Sequence, residues 1–78
     1  MKLSKEFIEA MNGVLNGEKW TRKVYYLDGE LRRYYKLDIC NNIIGKYMHP
    51  SALIFIEDNN SKLTLGQMTA TDWEKVTN

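Results

Sequence analysis

The chain has 78 residues, 44% of them hydrophobic and 27% charged, and 11 Lys and Arg against 10 Asp and Glu leave a formal net charge of +1. That length makes one domain, residues 1–78, whose thin core hides only about 60% of the unfolded surface; the lone Cys40 excludes an internal disulfide and no Cys/His cluster has metal-ligand spacing, so no metal or cofactor is expected and the cell interior is the natural compartment. The longest apolar run, Ala52 to Ile56, is far below the roughly 20 residues that span a bilayer, and the weak charge gives no field for duplex DNA, so neither a membrane nor nucleic acid is expected as a partner.

Ser4 is an N-cap residue by type, and Phe7, Ile8, Met11 and Leu15 recur at helical spacing before Gly17, which predicts a helix over Ser4 to Asn16. Leu3 is placed to staple onto Ile8, while Glu6, Glu9 and Asn12 face water. Gly13 is the blemish, costing about 1 kcal/mol relative to Ala.

From Lys19 to Leu27 the residues turn β-branched and aromatic, and Asp28-Gly29 is a two-residue hairpin signal, with a return strand over Glu30 to Asp38. That turn would pair Leu27 with Glu30, Tyr25 with Arg32, Lys23 with Tyr34 and Thr21 with Lys36. The opposite face, with Trp20, Arg22, Val24, Tyr26, Leu31, Arg33, Tyr35 and Leu37, is the more apolar and is assigned to the core. Lys23, Tyr25, Arg32, Tyr34 and Lys36 then stand in the open.

Asn41-Asn42 reads as a turn, Ile43 to Met48 as a strand, His49-Pro50-Ser51 as a break and Ala52 to Ile56 as a central, doubly covered strand. Glu57 to Ser61 is a polar turn, and Lys62 to Leu65 a short strand. Thr64 and Gln67 have capping-box spacing for one helical turn, and Trp73 to Val76 closes the chain as a last strand. The fold class is α+β, an N-terminal helix packed on about five or six short antiparallel strands.

Catalysis finds little support in these residues. His49 and Cys40 do not pair a base with a nucleophile; His49 reads as a loop residue and Cys40 as a small buried side chain. Asp72 and Glu74 do not read as a carboxylate pair, and no Gly-rich phosphate loop is present. What stands out is the crowding of Lys19, Arg22, Lys23, Arg32, Arg33 and Lys36 with tyrosines between Lys19 and Lys36, against Asp28 and Glu30 alone. Cationic groups hold phosphate and tyrosine rings stack on bases, so this is the composition of a nucleotide site. The bland reading is an ordinary hairpin with a solvated basic face, and Trp20 and Trp73 read as core anchors.

The stretch Leu63-Thr64-Leu65-Gly66-Gln67-Met68-Thr69-Ala70-Thr71-Asp72-Trp73-Glu74-Lys75-Val76 resembles the closing signature of a family of small phage and prophage proteins. Phe7-Ile8-Glu9-Ala10-Met11, Leu15-Asn16-Gly17-Glu18-Lys19 and Thr21-Arg22-Lys23 are similar to that family's opening helix, turn and basic strand. The family is the Thoeris anti-defence sponges, which sequester cyclic ADP-ribose isomers and, in some members, cyclic oligonucleotides; anti-CRISPR proteins occur among its relatives. The resemblance implies an N-terminal helix on an antiparallel sheet, homodimers or homotetramers, and pockets between subunits that hold a signal without cleaving it in the infected bacterial cytoplasm. Tyr25 or Tyr26 stands where relatives commonly carry Trp, and the segment before the ending is shorter.

The expected function is therefore sequestration of a cyclic nucleotide immune signal by a non-enzyme, with phosphates on Arg22, Lys23 or Arg32, a base on Tyr25 or Tyr34, and Asp72 accepting a ribose hydroxyl or base amine. The alternative is a protein-binding inhibitor of a host defence effector such as a CRISPR nuclease, docking through the same basic aromatic face.

Overall fold

The computed structural model describes residues 2–49, 51, 54–58 and 62–77. Helix α1 spans Lys5–Leu15, with the Phe7 N–H donating to the Ser4 side chain at 3.0 Å as the N-cap reading requires. Strands β1 (Trp20–Arg22), β4 (Arg33–Leu37), β5 (Ile43–Met48), β6 (Phe55–Asp58) and β7 (Trp73–Lys75) form a five-stranded antiparallel sheet in the order β6-β5-β4-β1-β7. Strands β2 (Tyr26–Leu27) and β3 (Glu30–Leu31) form a two-stranded hairpin, and α2 is a single turn over Leu65–Met68. The architecture is α+β, and no described helix is long and apolar enough to cross a membrane.

Local chemistry explains the joints. Asp28 and Gly29 both take positive φ, 53° and 80°, the requirement of the tight hairpin turn that pairs Leu27 with Glu30 as expected. Thr64 and Gln67 complete both bonds of the capping box on α2. Gly13 faces the indole of Trp20 and the Glu18 carboxylate so closely that a Cβ there would overlap both. The helix accepts a poor helix former at this place because the backbone must approach Trp20.

Helix α1 packs on β7, β1 and β4. Phe7, Ala10, Val14, Trp20, Tyr35 and Trp73 form the core, with Phe7 and Tyr35 rings 5.8 and 5.7 Å from Trp73. Both tryptophans are the core anchors expected of them. The helix buries Ala10 and Val14 where Ile8 and Leu15 were expected; those two, and Leu3 of the expected staple, are exposed because the buried stripe is rotated towards Gly13 and Trp20.

The largest correction lies in the long first strand. It breaks at Lys23–Tyr25, a 3-10 turn held by the Lys23 N–H donating to the Asp72 carbonyl at 3.1 Å and the Val24 N–H donating to the Asp72 carboxylate at 3.3 Å. Beyond the break β1 pairs with β4 as Trp20 with Tyr35, two residues out of the expected register. A shift of two keeps Trp20 and Tyr35 on the core face, but alternation is lost inside the turn. Val24, assigned to the core, is exposed, and Tyr25, assigned to the open, packs against the core.

Other differences are smaller. The strand expected over Ala52 to Ile56 runs over Phe55–Asp58 at the sheet edge, takes Glu57 from the expected turn and leaves Ile54 exposed; Ala52 and Leu53 lie outside the described residues, as do Pro50 of the break and residues 59–61 of the turn. Lys62 to Thr64 is not a strand, since its chain feeds the capped turn α2. Cys40 is exposed, because it sits at the tip of the β4–β5 turn.

On the side of the sheet away from α1, Tyr26 lies against Glu74, and Tyr26, Gly29 and Leu31 face Val76 and Thr77 across one cleft. The β2–β3 hairpin therefore folds back over β1 and β7.

Candidate functional site

Two arginines and one tyrosine make the most developed polar cluster. Arg22 ends β1 and Arg33 begins β4, and their guanidiniums lie 5.5 and 5.9 Å from the centroid of the Tyr25 ring, within cation–π range. Arg33 is also 5.8 Å from the Tyr35 ring. Gln67 Nε2 donates to the Tyr25 hydroxyl at 2.6 Å and to the Tyr35 hydroxyl at 2.8 Å, tying both rings to α2. The carbonyl of Gln67 accepts from the Trp73 indole at 2.8 Å.

Each arginine is held by a carboxylate. Arg22 Nε donates to Asp72 at 2.7 Å, and Arg33 Nη2 donates to Asp58 at 2.7 Å. Burial works against the charged form of Asp72, but the hydrogen bond and charge of Arg22, with the Val24 N–H, outweigh it and hold the carboxyl below its ordinary value. Burial likewise opposes the charge on Arg22 and on Arg33, and their carboxylate and tyrosine partners hold both above the usual arginine value. Burial pushes the Tyr35 phenol up against the pull of Arg33. A guanidinium carries five N–H donors, more than one carboxylate oxygen can use, and the Tyr25 and Tyr35 hydroxyls take up part of what Asp72 and Asp58 leave. Arg33 Nε is buried and has no hydrogen-bond partner among the described residues.

The sequence-predicted site residues divide between two faces. Arg22, Tyr25 and Asp72 meet in this cluster, with Lys23 exposed at its edge. Asp72 is taken up by Arg22 and Val24, which makes it a residue that positions Arg22. Tyr34 and Arg32 are elsewhere. Tyr34, expected in the open, is 7% exposed on the other face, edge-on to Phe55 at 4.9 Å and under Lys19 Nζ at 5.3 Å. Arg32 pairs with Glu30 at 3.2 Å and donates to Met48 Sδ at 3.7 Å.

Arg33, Tyr35, Gln67 and Asp58 belong to the cluster and were not singled out as site residues from the sequence. Alternation places Arg33 and Tyr35 on the face expected to form the core, and the spacing of Gln67 from Thr64 points to its capping role alone. The signal for them was the parity of β4, which already grouped Arg33 and Tyr35 with Arg22. His49 lies beyond β5, its Nδ1 accepting from the Ser51 N–H at 3.2 Å. Among the described residues no three His, Cys, Asp or Glu side chains converge as a metal site would require. Comparison with protein-family models, with curated proteins and with solved structures finds no match to this chain.

Proposed function

We propose that the protein binds and sequesters a cyclic nucleotide immune signal, a cyclic ADP-ribose isomer or a cyclic oligonucleotide, without cleaving it, and so acts as a phage anti-defence protein in the infected bacterial cell. The observation that carries this reading is the pair of guanidiniums set against one tyrosine ring at 5.5 and 5.9 Å. Arg22, Arg33 and the neighbouring Lys23 supply charge for phosphate, and Tyr25 supplies a ring against which a base can lie. Arg32 and Tyr34 leave the proposed site, and Arg33 enters it.

The stretches that carry the family resemblance meet in space, which further supports the reading. Phe7 of the opening helix packs on Trp73 of the closing motif, with ring centroids 5.8 Å apart. Asp72 of the closing motif clamps Arg22 of the basic strand. The basic strand and the closing stretch thus both contribute to the cluster, through Arg22 and through Gln67 and Asp72.

The test is direct. Purified protein is incubated with a panel of cyclic ADP-ribose isomers and cyclic di- and trinucleotides, freed of unbound ligand and heat-denatured, and the released material is chromatographed. One member should be recovered intact, and Lys23→Ala, an exposed change that leaves the core alone, should lower its retention. Cleaved product, or retention of none of them, would reject sequestration and turn attention to a protein partner.

A further inference from the structure

The side of the sheet away from α1 carries a cleft of opposite chemistry to the arginine cluster. It lies between the β2–β3 hairpin and the end of β7, has a volume of about 270 Å³ and is lined by Tyr26, Gly29, Leu31, Val76 and Thr77. Tyr26 and Leu31 are a cross-strand pair, so they share the face of the hairpin that looks into the cleft, while Leu27 and Glu30 share the other. Leu31 and Val76 are its apolar walls, Tyr26 is its aromatic one, and Gly29 leaves the mouth without a side chain.

Strand parity adds a charge to this space. Trp73 is buried in the core under α1, and the Val76 N–H continues the ladder by donating to the Lys19 carbonyl at 2.9 Å, so alternation sets Glu74 beside Val76 on the cleft's side of the sheet. Burial, and then the charge and hydrogen bond of Glu74, push the Tyr26 phenol up, which brings the Glu74 carboxylate against the tyrosine that lines the cleft.

No cation answers that carboxylate. None of the lining residues is basic, and Glu74 enters no ion pair among the described residues. The cations of adjoining segments are engaged elsewhere: Lys75 pairs with Glu18 at 3.0 Å, Arg32 with Glu30 at 3.2 Å and Arg22 with Asp72 at 2.7 Å.

The occupant follows from these constraints. A phosphate or carboxylate would meet Glu74, so an anion is disfavoured. A bare metal ion would find one carboxylate where it needs several oxygen ligands. An organic cation uses every feature at once, because an ammonium group is attracted both by a carboxylate and by the face of a tyrosine ring, and an apolar body covers Leu31 and Val76. A cavity of about 150 Å³ holds a benzene ring, so a ring with a short alkylammonium arm fits the larger volume here.

We propose that this cleft is a second binding site and takes a small organic cation, its ammonium group against Glu74 and the Tyr26 ring and its apolar body between Leu31 and Val76. The site is separate from the Arg22–Tyr25–Arg33 cluster, which lies on the α1 side with the opposite charge, and it holds whatever ligand that cluster takes.

Titration of the nitrogen-labelled protein with phenethylammonium chloride, followed in proton–nitrogen correlation spectra, tests it, with phenethyl alcohol as the uncharged counterpart. The amide signals of Gly29, Leu31, Val76 and Thr77 should shift and saturate with the ammonium compound, at a midpoint roughly tenfold below that of the alcohol. Glu74→Gln removes the charge, and Thr77→Lys, a change at an exposed position, sets a fixed cation at the mouth. Each should erase the preference for the ammonium compound while leaving the circular dichroism spectrum unchanged, and Thr77→Lys does so without touching the contact between Tyr26 and Glu74. An alcohol that binds as tightly as the ammonium compound would overturn the proposal. So would a preference that survives either substitution, shifts that fall outside the cleft, or the absence of any saturating shift.

Discussion

The layer between α1 and the sheet and the end that carries Ile39 are built from similar residues put to opposite uses. In the layer every large group has a partner: Trp73 touches Phe7 and Tyr35, Gln67 bonds both tyrosines, and Arg22 and Arg33 each hold a carboxylate. At the end, backbone bonds are equally well made, yet the apolar side chain they support meets nothing. Satisfied contacts specify a fold, and a side chain that meets nothing adds little to it. A substitution in the layer should therefore be read out in stability, and one at the tip of the β4–β5 turn should leave stability nearly unchanged.

Trp73→Ala should break the layer most completely. Removing a buried tryptophan costs about 3–5 kcal/mol, comparable with the whole margin of a domain this small. Urea denaturation followed by circular dichroism should find the variant largely unfolded without denaturant. A stable, cooperative variant would mean that the six core residues are not the centre of the fold.

Gly13→Ala sharpens the same point, because two rules oppose each other there. Helix propensity favours the change by about 1 kcal/mol. Packing opposes it, since the new Cβ would overlap the Trp20 indole and the Glu18 carboxylate that accepts from it at 2.9 Å. Overpacking in a closed core costs about 1–3 kcal/mol, and Trp20, with its ring buried under the helix, has little room to yield. The net change should be a loss of stability in the denaturant midpoint; a gain would show that Trp20 swings aside at no cost.

What could be read beforehand and what could not follows the same division between local and assembled structure. The Ser4 cap, the Asp28-Gly29 turn, the Thr64 capping box and the helix itself depend on neighbours a few residues away, and they stand as expected. Tyr25 and Tyr34 were both expected in the open, and both are covered: Tyr34 lies against Phe55 of the edge strand, while Tyr25 turns to the core because the 3-10 turn at Lys23–Tyr25 is fixed by Asp72, some fifty residues later in the chain, and no pattern of alternation within the strand reports on it. Ile8 and Leu15 satisfied a helical period as well as Ala10 and Val14 did. The choice between them was made by Trp20, whose bulk admits the small-residue face of α1. Arg22 and Asp72 were legible as candidates by residue type; that they bond to one another was not.

The remaining effect joins the layer to its candidate site. The Asp72 carboxyl is held below its ordinary value in the folded chain by the Arg22 guanidinium and the Val24 N–H, in excess of the opposing effect of burial. A group depressed on folding contributes stability that is present above its unfolded value, near 3.8, and is lost as pH falls through the folded value, where the unfolded chain has already taken up its proton. Stability should therefore drop in acid below the ordinary carboxylate range, and Asp72→Asn should flatten that part of the profile while lowering the neutral plateau by about 1.5–3 kcal/mol, the range for a hydrogen bond to a charged group. Arg22→Ala should flatten the same part of the profile. In a double-mutant cycle the second substitution should cost much less than the first, because each alone already breaks the pair and frees the turn that carries Tyr25. If the two losses instead add, Asp72 acts on the turn through Val24 alone, and the cluster's order would come from Gln67 and its two tyrosines.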